Sequence, residues 1–271
     1  MTGMAFRKIW WTDFSAAEFQ NLDPDRTIAV FPTAAVEQHG PHLPVGTDTI
    51  INQGHLDRLV ERLPADMDVR ILPVQAIGKS NEHIWQVGTV SGTALNLIEH
   101  WTQIGLEVAR SGIRKVVFVN SHGGNVSMLD IVSRELRVRA GMLAVKAAWS
   151  HFWPKELYSD IENRHGIHGG DSETSLVLHF RPETVDMSKA EDFASVAQRD
   201  EQAYKHLRPT GMLSYAWIAS DINPHGTAGE ASRATAEKGR ATVEAAVDSF
   251  IELLREVERK ELPAPATPPQ F

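Results

Sequence analysis

A chain of 271 residues with 42% hydrophobic and 23% charged side chains can bury a sizeable core, and its composition excludes disorder. It contains no cysteine, which excludes disulfides, thiolate nucleophiles and cysteine zinc sites; any metal must be held by His, Asp and Glu, the ligand set of catalytic zinc. The formal charge of −8 disfavours a nucleic-acid partner, which needs a basic face.

The first residues, "MTGMAFRKIWWTDFSAAEF", lack the apolar stretch and small-residue cleavage site of a secretory signal, and no apolar run approaches the ~20 residues of a membrane span. A cytoplasmic protein without a membrane partner is expected. "TIAVFP" (27–32) reads as a buried strand, and 49–63 as a helix with apolar positions at helical spacing. A strand over 68–74 and a polar loop follow, then a long helix over 93–112 stopped by Ser111-Gly112. "KVVFVN" (115–120), rich in β-branched residues, is a strand running into "SHGGN" and another helix. A fourth strand spans 143–149, a helix opens near Asp171, and 231–257 reads as a long amphipathic helix before a Pro-rich tail at 261–271 that should fray. Between 181 and 229 the periodicity is too weak to assign elements. Strands alternating with helices imply βαβ units and a mainly parallel sheet.

Ligands of open α/β sheets bind beyond the carboxyl ends of the strands, and the chemistry-bearing residues gather there. "VEQHGPHLPVGTD" carries Glu37 and His39, two apart so that an extended chain points both to one side, and then Asp48 just before a helix, where it could cap the helix and also meet a cation. "SHGGN" brings His122 at the end of another strand, with Gly123 and Gly124 allowing close backbone approach. "NRHGIHGGDSETS" adds His165, His168, Asp171 and Glu173, and "SNEHIW" adds Glu82 and His83. His42 reads as a neighbour of the pocket rather than a ligand. His55, His100, His151, His179 and His206 read as ordinary helix or loop residues, and Trp10, Trp11, Trp101 and Trp217 as core or interface.

"VEQHGPHLPVGTD", "VNSHGGN", "HGGDSETS" and "GTAGEASRATAEKG" together resemble the creatininase (creatinine amidohydrolase) family over roughly residues 8–258. The resemblance implies one three-layer α/β/α domain with a mainly parallel sheet over residues 1–260, a homo-oligomer, hexameric as is usual in the family, and two divalent ions per subunit, Zn²⁺ first with Mn²⁺ or Fe²⁺ as alternatives. It implies that Glu37 and His122 hold one ion, His39 the other, and Asp48 both. Creatininase itself carries Tyr-Glu after the motif His, and that Glu completes the second site; Gly123 and Gly124 stand here instead. Glu173 is expected to supply the missing carboxylate, and the "HGGN" form looks closer to family members that cut other amide bonds.

The expected activity is hydrolysis of a non-peptide C–N amide bond in a small-molecule substrate, a cyclic amide or ureide. The cations would lower the pKa of a bound water and polarise the carbonyl. His168 would act as proton shuttle beside Glu173, and Glu82, His83, Ser121, Gly123, Gly124 and Asn125 would line the substrate pocket. A peptidase or deformylase acting on a linear amide is the alternative, and a metal-containing binding protein without catalysis a further one.

Overall fold

A computed structural model describes residues 7–262; most of the Pro-rich tail expected over 261–271 lies outside the described residues. The central sheet consists of β1 (Ile28–Thr33), β2 (Val69–Ile71), β3 (Lys115–Asn120) and β4 (Leu143–Ala148) in the order β2-β1-β3-β4, with every pairing parallel. All residues of β1 and β3 are buried, which is why both read as unbroken apolar runs. β2 is shorter than the 68–74 expected: Pro73 follows two residues on and offers no ladder N–H.

Helix α1 (Thr47–Arg62) follows β1, α2 (Ala94–Arg110) follows β2, and α3 (Val126–Ala140) connects β3 to β4. Alternate strand residues point to opposite faces. Ile28, Val30, Val117 and Val119 therefore pack with Ile51, Leu56 and Leu59 of α1, and with α5 (Asp171–Phe180) and α8 (Ala236–Arg259). Ala29, Phe31, Val116 and Phe118 pack with Trp101 and Val108 of α2 and with Leu129, Val132 and Leu136 of α3. The result is the expected three-layer α/β/α arrangement.

Helix α2 is capped as its sequence indicates, Thr93 accepting the N–H of Asn96. The last helix starts later than the 231 expected, because Ala231–Arg233 forms a separate 3-10 turn and Thr235 caps α8 by accepting from Lys238 N–H. The unassigned stretch before it contributes α6 (Val196–Ala203), α7 (Ala219–Ile222) and a two-residue antiparallel pair, β5 (Asp192–Phe193) with β6 (Gly229–Glu230). A short α4 (Asp160–His165) precedes α5. None of the described helices is long and apolar enough to cross a membrane.

The carboxyl ends of β1 and β3 are tied at one level. Thr33 Oγ1 donates to Asn120 Oδ1 at 3.0 Å. Asn52 on α1 donates to the carbonyls of Thr33 (2.9 Å) and Val119 (3.2 Å), while Trp149 Nε1 donates to Asn52 Oδ1 at 3.2 Å. Two ligand-rich turns leave the sheet side by side from this clamp.

Candidate metal centre and its cavity

Glu37, His39, Asp48 and His122 are all buried and converge beyond the ends of β1 and β3. His122 Nδ1 lies 3.0 Å from Glu37 Oε1 and 3.3 Å from Asp48 Oδ2. His39 Nε2 lies 3.4 Å from Asp48 Oδ1 and 3.9 Å from both Glu37 Oε1 and Glu173 Oε2. Asp48 is not the helix cap expected from sequence. Gly46 holds that position and α1 already includes Thr47, so the Asp48 carboxylate in the first helical turn is free to face His39 and His122. Glu173, in the first turn of α5, accepts the N–H of Gly169 at 2.6 Å and faces His39.

The backbone fixes what each imidazole presents. His39 Nδ1 donates to the Glu37 carbonyl (3.0 Å), and His122 Nε2 donates to the Lys79 carbonyl (2.8 Å). In the neutral rings, the remaining nitrogens, His39 Nε2 and His122 Nδ1, carry lone pairs aimed at carboxylate oxygens. His39 Nε2 and Asp48 Oδ2 are buried without a hydrogen-bond partner. Lone pairs facing oxyanions in a buried place repel one another unless a cation or protons lie between them. This donor set fits a divalent ion bound by His and carboxylates.

The charges register the same demand. Burial pushes the Glu37 carboxyl up, yet His122, His168 and His83 hold it well below the usual carboxylate range. Burial lowers His39, but Asp48, Glu173 and Glu37 outweigh it and raise the ring to about 9. Burial likewise works against charge on His122, and Glu37 and Asp48 lift it well above its ordinary value. Glu173 is raised to about 7, mainly by burial, with His39 opposing and Asp48 assisting.

His168 sits against this cluster, its ring 4.0 Å from that of His39 and 4.3 Å from that of His83. Its Nε2 donates to the Gln38 carbonyl at 2.6 Å, which leaves Nδ1 open 3.7 Å from Glu37 Oε1. Burial first, then the neighbouring His39 and His83, depress its pKa well below the ordinary value.

A cavity of about 650 Å³ opens onto the cluster, lined by Glu37, Asp48, Glu82, His83, Ser121, His122, Gly123, Gly124, His168 and Glu173 among others. A smaller one of about 270 Å³ shares Ser121, His122, Gly123, His168 and Glu173 with it and reaches Trp153. Gly124 has no room for a side chain: a Cβ there would stand 2.3 Å from the Lys79 carbonyl oxygen and 2.4 Å from His122 Nε2.

Other residues singled out from sequence lie elsewhere. Asn125 is buried, with its amide accepting from Lys79 N–H and donating to the Ala34 carbonyl, and it lines neither cavity. His165 pairs with Glu201 at 3.0 Å, and Asp171 with Lys238 at 2.6 Å, which ties α5 to α8. His42 meets Thr174 Oγ1 at 2.9 Å and stacks on Phe193, a buried brace for the loop. Trp101 is core, whereas Trp217, read from sequence as core or interface, lines the larger cavity.

Two residues escaped the sequence reading. Ser80 donates to Glu37 Oε2 at 2.5 Å, and Gln38 bridges His83 and His168. Neither residue type signals chemistry by itself. The adjacency of Gln38 to Glu37 and His39 was the one available cue.

The sequence profile of the creatininase family, creatinine amidohydrolase, matches residues 12–254. The mycofactocin precursor peptide peptidase of Mycolicibacterium smegmatis is 36% identical over 164 residues, 58% of this chain and 60% of that protein, so the matched part spans about three fifths of that relative. Its namesake from Mycobacterium ulcerans is 32% identical over 235 residues, 82% of each chain. The creatinine amidohydrolase of Pseudomonas putida is 28% identical over 84% of this chain and 89% of that one. Among solved structures, creatininase in a manganese form and a mutant creatininase of zinc–zinc type superpose with TM-scores of 0.73 and 0.72, at 24% and 25% identity, over 94% of this chain and 100% of each of theirs. By sequence over most of its length, and by fold, this chain belongs to the creatininase family of hydrolases.

Proposed function

We propose that this chain is a metal-dependent amidohydrolase that cleaves a C–N amide bond in a small molecule with two divalent ions, zinc being the first choice and manganese or iron the alternatives. The observation that carries this reading is the buried convergence of two imidazole lone pairs with the carboxylates of Glu37, Asp48 and Glu173 at the floor of a cavity. Glu37, His122 and Asp48 would hold one ion, and His39, Asp48 and Glu173 the other. When bound, such ions supply Lewis acidity, which acidifies water and polarises an amide carbonyl.

The remaining work belongs to side chains. Ser80 fixes the Glu37 carboxylate through Oε2, and Ser121 Oγ donates to the Asp48 carbonyl at 2.8 Å, steadying the start of α1. His168 Nδ1, held open by the Nε2–H bond to Gln38, takes the proton of the attacking water and delivers it to the leaving nitrogen as the C–N bond breaks. A small cyclic amide or ureide is the first substrate class. A longer linear amide is the second reading, favoured by the cavity of about 650 Å³, whose wall includes Pro209, Thr210, Gly211 and Trp217, and by the peptidases among the relatives.

The test is hydrolysis of a panel of cyclic ureides, lactams, N-formyl amines and short peptides, before and after metal removal and after Zn²⁺ or Mn²⁺ readdition. Turnover that vanishes and returns with metal supports the proposal. Tight metal binding with no turnover on any amide would sink it.

A further inference from the structure

Among the four imidazoles around the cavity floor, His83 differs from the other three. His39, His122 and His168 each donate one ring N–H to a backbone carbonyl and turn the other nitrogen inward as an acceptor. His83 instead meets the side-chain amide of Gln38, whose Nε2 lies 2.7 Å from His83 Nδ1.

The orientation of that amide is fixed independently of His83. Gln38 Oε1 accepts the N–H of Gly40 at 3.0 Å, and Nε2 donates to the carbonyl of Gly226 at 2.5 Å. Turning the amide over would set an NH₂ against an N–H and an oxygen against a carbonyl, losing both bonds. Gly226, at φ +73°, keeps the pocket tight, since a Cβ there would stand 2.9 Å from the Gln38 amide. His83 Nδ1 must therefore accept, and the neutral ring carries its proton on Nε2. That N–H is not spent inside the protein: the nearest carboxylate oxygen, Glu37 Oε2, is 3.7 Å away, beyond hydrogen-bond length, and already accepts from Ser80. His83 itself lines the larger cavity.

We infer that His83 is a catalytic hydrogen-bond donor, its Nε2–H directed at the substrate carbonyl oxygen, and that Gln38 is the positioning residue that fixes this tautomer, while its backbone carbonyl holds His168 in the same tautomer but takes up that ring's Nε2–H and so leaves Nδ1 to face the site. The assignment rests on the amidohydrolase reading above. It divides the labour between two adjacent, mutually tilted rings. As the C–O bond to water forms and the C–N bond breaks, the water proton passes through His168 Nδ1 to the leaving nitrogen. His83 keeps its proton and stabilises the charge gathering on the carbonyl oxygen. It also removes His83 from the possible metal ligands, although it stands with Glu37 and His168 at ligand-like spacing.

The experiment uses the zinc-loaded full chain. Histidine ¹⁵N NMR should show both His83 and His168 bare at Nδ1 and protonated at Nε2; His83 protonated at Nδ1, or bonded to zinc, overturns the assignment. Gln38→Glu, which cannot donate, should move a proton onto His83 Nδ1. An unchanged tautomer there overturns the positioning role; should that variant misfold, Gln38→Leu should move the His83 Nδ1 resonance to that of an imine nitrogen without a hydrogen bond, and an unmoved resonance overturns the role equally. Acetohydroxamate, a zinc-binding carbonyl mimic, should bind His83→Leu roughly 10-fold or more weakly at unchanged zinc content. His83→Gln, which retains an N–H, should stay within about 3-fold of the parent. Equal affinity in His83→Leu overturns the donor role. None of these readouts requires turnover, so a blank amide panel with the tautomers and probe affinities as expected strikes the hydrolase reading alone.

Discussion

Glu173 Oε2 stands 3.9 Å from His39 Nε2 while accepting the N–H of Gly169 at 2.6 Å. A residue about fifty positions beyond the "SHGGN" turn thus brings a carboxylate to the cluster, in a chain whose motif His is followed by Gly123 and Gly124. Glu173→Gln should lower metal content from two ions per subunit to about one, measured by plasma emission on the purified protein. Retention of two ions would show that Glu173 is no ligand.

His168 plays no part in the proposed ligand set. His168→Ala should keep both ions and lose roughly 10²- to 10⁴-fold in kcat, the usual worth of a positioned acid–base group. Unchanged turnover, measured on whichever amide the panel identifies, would dismiss the proton-carrying role.

Gly124 tests whether the family carboxylate can be restored. Because a Cβ at this position would press on the Lys79 carbonyl, His122 Nε2 and Glu82 Oε1 at 2.3–2.5 Å, Gly124→Ala should cost about 1–3 kcal/mol through overpacking. Gly124→Glu should weaken metal binding by displacing His122, instead of strengthening it. Denaturant unfolding and metal titration of the two variants check both statements, and a Gly124→Glu protein with raised metal affinity would refute the second.

His55 gives a pH dependence separate from the site. It is fully buried on α1, donates from Nδ1 to the Ile51 carbonyl at 2.8 Å, stacks on Trp149, and leaves Nε2 without a partner. Burial lowers its pKa from 6.5 to about 4. Between these values the unfolded chain holds a proton that the folded one refuses. The stabilisation is therefore complete above the unfolded pKa and drains away as pH falls towards about 4, by as much as ~3 kcal/mol. Urea unfolding at neutral pH and near the lower end of that window should show a smaller acid loss for His55→Gln than for the parent; equal losses would exclude His55 as a cause.

Much of this architecture was legible in the residues. β1 and β3 announce themselves because strands buried on both faces are runs of apolar residues, β4 as a short apolar run at the sheet edge that is only partly covered, and α2 because Thr93 caps an apolar stripe ending at Ser111. The turns bearing Glu37, His39, Asp48 and His122 were legible as well, since their Gly- and Pro-rich composition follows strands directly. What escaped depends on contacts between distant segments. Nothing local to "PTG" or Trp217 shows that they wall the cavity, and nothing in Gln38 shows that Gly40 and Gly226 orient its amide. Asp48 misled for the opposite reason: its residue type suits a cap, yet α1 had already begun one residue earlier.

The clamp joining Thr33, Asn120 and Asn52 turns strand register into something that can be assayed. A slip of one residue between β1 and β3 would carry His122 about 3.3 Å along the strand and throw its side chain to the opposite face, out of reach of Glu37. A chain folded in the wrong register would keep most of its helices and much of its apolar burial while failing to assemble the cluster. Metal uptake during refolding would then report alignment of the central strand pair, separately from the collapse that far-ultraviolet circular dichroism detects.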